Sequence, residues 1–215
     1  MTALAIFVKT PGLSPVKTRL AAGIGPVRAE AFYRLAVQAV AEVAGATRPA
    51  LVPYWAVAEA EALDHPMWSG FPTVSQGEGG LGARLDHVYR MLLARHGAVL
   101  LIGADAPQVT PALLLQAATL AAPFVLGRAG DGGFWLFGGA RPIDAAVWRS
   151  VPYSVADTAD RLLEALVGAG DVRAVEDLRD VDRQEDLGPL RSALDRLPAA
   201  LEAQAVLSRW LGNVA

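Results

Sequence analysis

The fold is decided by residues 99–131, which read VLLIGADAPQVTPALLLQAATLAAPFVLGRAGD. Residues 99–102 form a continuous apolar run that small residues and a proline end, which predicts a buried strand. A helix is predicted over 111–121, because a proline suited to a first helical turn opens this segment and another proline follows it. Residues 124–127 predict a second buried strand, with a turn over 130–133 behind it. This alternation of strands and helix indicates an α/β fold.

One carboxylate follows each of these two strands. Asp105 comes directly after the first strand, and Asp131 lies in the turn after the second. Because ligands of open α/β sheets collect at the carboxyl ends of the strands, we expect both side chains to face one crevice. Two hard oxygen donors at such a crevice suit Mg²⁺ or Mn²⁺ carrying a phosphate. The sequence therefore predicts Asp105 and Asp131 as metal ligands.

The composition indicates a single well-buried domain of 215 residues, of which 53% are hydrophobic. The apolar run over residues 3–8 is shorter than a signal-peptide core of about 7–15 residues, so we interpret it as the start of a first strand. The uncharged stretch between Asp105 and Arg128 is broken by prolines, which leaves no apolar helix of roughly 20 residues to cross a bilayer. The absence of cysteine excludes disulfides and favours a reducing compartment. We therefore expect a cytoplasmic protein without a membrane span.

The charge distribution favours a small anionic ligand. A formal net charge of −3 argues against nucleic acid as a partner. Residues 1–40 are nevertheless basic, because Glu30 is their one acidic residue. Their cations are Lys9, Lys17, Arg19, Arg28 and Arg34. A basic beginning on an acidic protein suits an anion that is held at one place.

A loop with two cations follows the first strand, which is predicted over residues 4–9. Gly12 and Lys17 are similar to parts of a phosphate-binding P-loop, but Val16 stands where the motif has its second glycine, so this is not a Walker A motif. Lys17 and Arg19 lie where a bound anion would meet them. The alternative is that both are ordinary surface cations near the start of a helix.

A glycine-rich stretch over residues 77–82 has two interpretations. Its glycines satisfy G-x-G-x-x-G between a predicted strand and an amphipathic helix, which is the context of a dinucleotide fingerprint and would indicate a nicotinamide or flavin enzyme. The motif does not follow the first strand, and the acidic residue after the next strand is followed by proline. Both features weaken that interpretation.

The rest of the chain predicts further strands and helices in one domain over residues 1–215. Strands are predicted over 51–57, 71–75, 134–137 and 172–175, and helices over 28–43 and 158–167. Most carboxylates of residues 177–186 are expected to be solvated or to cap helices. Residues 188–215 predict a C-terminal extension of two amphipathic helices, for packing or for the interface of a homodimer.

Five blocks of motifs occur in order between about residue 4 and residue 187. They are VKTP at 8–11 with KTRL at 17–20, GLGAR at 80–84, GADAP at 103–107, LG at 126–127 with DGGFWL at 131–136, and DVD at 180–182 with EDL at 185–187. In this combination the chain resembles the DUF2064 family of glycosyltransferase-like proteins. That family is similar to the guanylyltransferase of coenzyme F420 biosynthesis and to molybdenum-cofactor nucleotidyltransferases. The resemblance implies a nucleotide-diphospho-sugar transferase fold of the glycosyltransferase A type, a three-layer α/β/α sandwich with a mostly parallel sheet.

The resemblance also implies roles for particular residues. Lys17 and Arg19 would meet phosphates, Asp105 would hold the metal, and Asp131 would complete the metal site or contact the acceptor. The implied catalytic residues are Asp105, Asp131 and Lys17, and the implied substrate-binding residues are Lys9, Pro11, Gly12, Lys17, Arg19, Gly82, Arg84, Gly103, Gly132 and Gly133. Many relatives carry an acidic residue where this chain has Gly80, so a polar contact at that position is in question.

Together these features predict a metal-dependent transferase that uses an activated nucleotide donor. A divalent ion, Mg²⁺ or Mn²⁺, with nearby cations would stabilise the negative charge that develops on the leaving phosphate. The first hypothesis is glycosyl transfer from a nucleotide sugar to a small-molecule acceptor. The alternatives are a guanylyltransferase-like nucleotidyltransferase that acts on a small phosphorylated acceptor, and a non-catalytic nucleotide-binding protein, which Gly80 would favour.

Overall fold

A seven-stranded sheet forms the centre of the computed structural model, which describes residues 1–214. Its strands are β1 (Thr2–Val8), β2 (Leu51–Val57), β3 (Thr73–Ser75), β4 (Val99–Gly103), β5 (Phe124–Arg128), β6 (Phe134–Gly139) and β7 (Val172–Ala174). Their spatial order is β3-β2-β1-β4-β6-β5-β7, and every strand except β6 runs in the same direction. The predicted α/β class with a mostly parallel sheet is therefore confirmed.

Helices connect most of these strands. They are α1 (Thr18–Ile24), α2 (Pro26–Ala46), α3 (Leu81–His96), α4 (Pro111–Leu120), α5 (Ala145–Ser150), α6 (Thr158–Ala165), α7 (Leu187–Asp195) and α8 (Glu202–Gly212), with short 3₁₀ turns at Ala60–Ala62, Pro66–Trp68 and Gln184–Asp186. The strand predicted over 71–75 begins two residues later than expected, at Thr73. Across residues 1–214, none of the helices has both the length and the apolar character that crossing a membrane requires.

The two faces of β1 show why helices cover the sheet on both sides. Leu4, Ile6 and Val8 pack with α2 and α4, whereas Ala3 and Ala5 pack with α3, α5 and α6. All five side chains are buried, because successive residues of a strand alternate between the faces of the sheet. The result is the three-layer α/β/α sandwich that the sequence predicts.

Helices α7 and α8 pack on α1 and on the side of α2 that faces away from the sheet. Leu190, Leu207 and Leu211 are buried in this contact, and the rings of Phe32 and Trp210 lie 6.2 Å apart. The amphipathic character predicted for the C-terminal extension therefore serves packing within the chain. The homodimer stays a prediction.

The path of the chain brings distant residues to one edge of the sheet. Strand β6 returns antiparallel between β4 and β5, so both flanking strands end at the same edge. After β7 the chain continues along that edge. The backbone N–H of Leu178 donates to the carbonyl oxygen of Arg128 at 3.1 Å, and that of Val181 donates to the carbonyl oxygen of Asp105 at 3.0 Å. The carboxylate-rich segment thus reaches the strand ends that precede Asp105 and Asp131.

The close approach of α3 and α5 depends on Gly82, the second residue of α3. A Cβ atom there would lie 2.4 Å from the carbonyl oxygen of Trp148 and 2.8 Å from a ring carbon of Tyr153. We expect Gly82→Ala to lower the free energy of unfolding by about 2 kcal/mol, because the backbone of α5 would have to move. Urea unfolding measures this change.

Gly188→Ala is the matched control, because Gly188 is the second residue of α7 and an added Cβ meets no atom within 4 Å. This variant should be as stable as the wild type, or more stable by up to about 1 kcal/mol. Equal stability of the Gly82 and Gly188 variants would contradict the packing described.

Candidate functional site

A cleft of about 790 Å³ opens at the carboxyl edge of the sheet. The predicted site residues that line it are Lys9, Lys17, Arg19, Arg84, Gly103, Asp105, Asp131 and Gly133. Pro11, Gly12, Gly82 and Gly132 do not line it. Close packing explains why residue 132 is glycine, because a Cβ atom there would lie 1.8 Å from the carbonyl oxygen of Ala156. Asp105 and Asp131 therefore share one cleft, whereas part of the predicted glycine set packs elsewhere.

The ammonium group of Lys17 joins three parts of the chain within this cleft. Its Nζ lies 2.5 Å from Asp105 Oδ1 and 3.7 Å from Asp182 Oδ1, and it donates to the carbonyl oxygen of Val181. The side chain of Lys17 is 5% exposed and that of Asp105 is 48% exposed, so the cation is enclosed while its partner opens to the cleft. Arg19 adds a second positive charge, with Nη1 3.0 Å from Asp182 Oδ2.

Two residues that line the cleft have a left-handed backbone although they are not glycine. They are Lys17, with φ 49° just before α1, and Ser154, with φ 65°. Such a conformation costs a residue with a Cβ atom roughly 1–2 kcal/mol. Strained residues of this kind concentrate at functional sites, where the surrounding contacts hold them.

Three carboxylates form a cluster beside Lys17. Asp131, Asp180 and Asp182 each place an oxygen atom within 4.8 Å of the other two. Burial, and then the negative charge of Asp131, raises the pKa of Asp180 to about 6, with smaller contributions from Asp182 and Asp105. A divalent cation among these oxygens would relieve their repulsion, and carboxylate oxygens are the donors that Mg²⁺ and Mn²⁺ prefer.

The two predicted metal ligands have different surroundings. Asp131 belongs to the carboxylate cluster, and its Oδ1 accepts a hydrogen bond from the backbone N–H of Gly133 at 2.8 Å. Asp105 lies outside the cluster and pairs with Lys17 instead. A metal-binding role for Asp105 therefore stays a prediction, and Asp180 and Asp182 are additional donors.

Buried side chains hold the loop that follows β1. The carboxylate of Glu59 accepts a hydrogen bond from the backbone N–H of Thr10 at 2.8 Å. The hydroxyl of Tyr33 accepts from the N–H of Lys9 at 2.9 Å and donates to its carbonyl oxygen at 2.8 Å. Burial acts to raise the pKa of Glu59, but hydrogen bonds from Ser14 and Thr10 outweigh it and hold that pKa below its ordinary value. The loop is thereby fixed in front of the cleft.

Gln76 and Arg84 also line the cleft. Gln76 Nε2 donates to the carbonyl oxygens of Val8 at 3.1 Å and Ala56 at 2.9 Å, which ties β1 to β2. Arg84 donates to Gln76 Oε1 at 3.3 Å and to the carbonyl oxygen of Gly79 at 2.9 Å. The glycine-rich loop follows β3 at the sheet edge, whereas a dinucleotide fingerprint lies in the first βα turn of its fold.

A family model matches residues 37–155, and its description is "Uncharacterized protein conserved in bacteria (DUF2064)". The chain belongs to the DUF2064 family. The match confirms the resemblance that its motifs show. Within the DUF2064 range lie Arg84, Asp105 and Asp131, whereas Lys17 and the DVD segment at 180–182 lie outside it. A comparison with curated proteins finds no match.

Solved structures share the fold of this DUF2064 protein. A Desulfovibrio desulfuricans G20 protein, described provisionally as a nucleotide-diphospho-sugar transferase, is 24% identical with a TM-score of 0.87, covering 99% of this chain and 96% of that one. A nucleotidyl transferase from Methanothermobacter is 17% identical with a TM-score of 0.60, covering 92% and 99%. The 4-diphosphocytidyl-2C-methyl-D-erythritol synthase of Anaerococcus prevotii is 13% identical with a TM-score of 0.57, covering 91% and 96%. At these identities the likeness establishes the fold.

Asp180 and Asp182 belong to a motif block of the DUF2064 resemblance, but neither of them is predicted from the sequence to have a role in the site. The prediction for most carboxylates of residues 177–186 is that they are solvated or cap helices, but these two line the cleft. Val181 between them is fully buried, so the carboxylates on either side of it face the other way, as in a strand. The alternating acid–apolar–acid pattern is the local signal for this arrangement. Asp186 does act as a cap, because it accepts hydrogen bonds from the N–H groups of Asp182 and Arg183.

We expect Glu59 to stabilise the fold more at neutral than at acid pH. Because the pKa of Glu59 is lowered in the folded protein, its contribution is present above the ordinary value of 4.5 and is lost as the pH falls through the folded value. Glu59→Gln should lower the free energy of unfolding by about 2 kcal/mol at neutral pH. The difference from wild type should shrink on acidification, as followed by urea unfolding.

Glu61→Gln is the control for this pH series, because Glu61 is an exposed acid two residues further along the chain. It should leave the stability unchanged at every pH. A Glu59→Gln effect that stays constant from neutral to acid pH would show that the charge of Glu59 does not hold the loop.

Proposed function

We propose that this protein is a metal-dependent transferase that uses an activated nucleotide donor, with a nucleotide sugar as the first candidate. The observation that carries the proposal is the enclosed ammonium group of Lys17 beside the cluster of Asp131, Asp180 and Asp182. A positive group and carboxylates that could bind a metal lie together at the edge where α/β sheets bind ligands. This combination suits a diphosphate that a divalent cation bridges to the protein.

The carboxylate cluster fits Mg²⁺ or Mn²⁺ by the chemistry of its donors. Asp131, Asp180 and Asp182 offer oxygen atoms alone, and their mutual repulsion contributes to the raised pKa of Asp180. A bound divalent cation would stabilise negative charge on the leaving phosphate. Asp105 would hold Lys17 in position, and its exposed carboxylate reaches the same cleft.

The cations of the cleft would stabilise the negative charge of phosphate oxygens. Lys17 is a fixed charge, because its side chain is enclosed and bonded to Asp105 and the carbonyl oxygen of Val181. Arg19 is more exposed and can turn toward a ligand, and Lys9 lines the same cleft. Charges that are already in place stabilise a transition state without a cost of reorganisation.

Asp131 is the candidate general base, which would receive the proton of the acceptor. Its bond from the Gly133 N–H fixes the carboxylate at the cleft. In the transfer, the acceptor oxygen bonds to the transferred group, and the bond from that group to the phosphate oxygen breaks with its electron pair on the phosphate. The acceptor's proton passes to a base, and a carboxylate can take this role.

Nucleotidyl transfer is the second candidate. The provisional description of the Desulfovibrio protein supports sugar transfer, whereas the Methanothermobacter and Anaerococcus proteins support transfer of a nucleotide. In the second reaction the acceptor would attack the α-phosphorus and pyrophosphate would leave. The same cations and carboxylates would serve both reactions, since the leaving group is a diphosphate in each: a nucleoside diphosphate in sugar transfer and pyrophosphate in nucleotidyl transfer.

A nucleotide-binding protein without turnover is the third candidate, and Gly80 is its basis. Gly80 precedes α3, and an added Cβ atom would meet nothing within 4 Å. The position therefore has room for an acidic side chain, but this chain has none there.

Thermal unfolding with Mn²⁺ and a panel of nucleoside diphosphates and nucleotide sugars tests the donor site. We expect the Tm of the wild type to rise when both are present, because a ligand at about 100 times its Kd stabilises the fold by about 2.7 kcal/mol. The double variant Asp180→Asn/Asp182→Asn should lose this rise. Asp177→Asn, at an exposed acid nearby, should keep it. A Tm rise that survives in the double variant would exclude the cluster as the metal site.

Product analysis separates the three candidates. Incubation with radiolabelled nucleotide sugars, nucleoside triphosphates, Mg²⁺ and a panel of acceptors should release a nucleoside diphosphate. Release of pyrophosphate would favour nucleotidyl transfer instead. Nucleotide binding without consumption of any donor would favour the non-catalytic protein.

A further inference from the structure

One wall of the cleft is apolar. It consists of Leu81, Phe134, Tyr153 and Val155, and we refer to these four residues as the apolar wall. Leu81 is 45% exposed and Val155 is 43% exposed. Exposed apolar side chains that are scattered singly need no explanation, but grouped in a cleft they mark a ligand surface.

Two hydroxyl groups of this region, those of Tyr153 and Thr158, are already bonded within the protein. The hydroxyl of Tyr153 donates to the carbonyl oxygen of Trp148 at 3.1 Å. The hydroxyl of Thr158 lies within donating distance of two carbonyl oxygens, that of Pro152 at 3.0 Å and that of Val155 at 2.9 Å. A ligand rich in hydroxyl groups would lose hydrogen bonds to water here, whereas an apolar group would gain by covering the exposed side chains.

The apolar wall is fixed next to Asp131. The backbone N–H of Ala159 donates to the carbonyl oxygen of Gly132 at 3.0 Å, and the backbone of Gly132 lies so close to Ala156 that no Cβ atom would fit. The loop that carries Tyr153 and Val155 therefore docks on the turn that carries Asp131. The left-handed backbone of Ser154 lies in the same loop.

The cationic part of the cleft and the apolar wall thus differ in chemistry. Lys9, Lys17 and Arg19 suit phosphates, whereas the four side chains of the apolar wall carry no charge. Arg84, on the same helix as Leu81, also lines the cleft, and its guanidinium donates to Gln76 and to the carbonyl oxygen of Gly79. We infer that the acceptor carries its reacting hydroxyl on an aromatic or alkyl body, that this body packs on the apolar wall, and that the hydroxyl points toward Asp131. That this ligand is the acceptor rests on the proposed function, whereas the apolar ligand surface does not depend on it.

The test compares two uncharged probes that share the same sugar hydroxyls. They are phenyl β-D-glucopyranoside and methyl β-D-glucopyranoside, and their Kd values are measured by NMR titration of the full-length protein. The phenyl glycoside should bind about tenfold more tightly, because its ring covers the apolar wall. The double variant Leu81→Ser/Val155→Ser should remove this preference.

The matched control is Leu115→Ser/Val167→Ser, which replaces an exposed leucine and an exposed valine that do not line the cleft. It should keep the preference for the phenyl glycoside. Equal affinity of the wild type for both glycosides, or an unchanged preference in the Leu81/Val155 variant, would overturn the inference.

The thermal shift with Mn²⁺ and nucleotide is recorded on the same proteins and tests the donor site separately. A shift in the Leu81/Val155 variant shows that it is folded, so its loss of the preference supports the inference. A preference without any thermal shift in the wild type would overturn the proposed function and leave the apolar ligand surface established. A thermal shift without the preference would overturn the inference alone.

Discussion

The enclosed ammonium group of Lys17 is the interaction on which the site depends. Its partners are Asp105 after β4, Asp182 in the C-terminal segment and the carbonyl oxygen of Val181, while Lys17 itself precedes α1. A buried charge is tolerated when it is paired and hydrogen-bonded, and it becomes costly once a partner is removed. One cation therefore ties together three regions that are far apart in the sequence. The strained backbone of Lys17 is held by the same contacts.

The sheet topology explains why these regions meet. Because β6 inserts antiparallel between β4 and β5, the two flanking strands deliver Asp105 and Asp131 to one edge. The chain after β7 then runs along this edge through backbone hydrogen bonds and adds Asp180 and Asp182. Cations and carboxylates end up side by side, with an apolar surface next to them. The cleft thereby has a charged surface and an apolar surface.

The sequence predicts those parts of the site that local patterns determine. Buried strands and their small terminating residues locate Asp105 and Asp131, because both follow directly from strand ends. The acid–apolar–acid alternation at 180–182 indicates that Asp180 and Asp182 share a side of the chain, but their place at this edge depends on a long-range crossing after the three-residue strand β7, which the local pattern does not determine. Gly82 and Gly132, by contrast, are predicted to bind substrate but do not line the cleft. A sequence motif indicates that a glycine is needed at a position. It does not show whether the reason is close packing, as against Trp148 and Ala156 here, or contact with a ligand.

The position of a bound divalent cation tests the central claim most directly. Diffraction data collected at the manganese absorption edge, from crystals grown with Mn²⁺ and a nucleoside diphosphate, would locate it. We expect an anomalous peak within coordinating distance of the carboxylates of Asp131, Asp180 and Asp182, with the diphosphate between this peak and Lys17. Nucleotide bound in the cleft without such a peak, or a peak at a different acidic group, would contradict a metal-bridged diphosphate at this site.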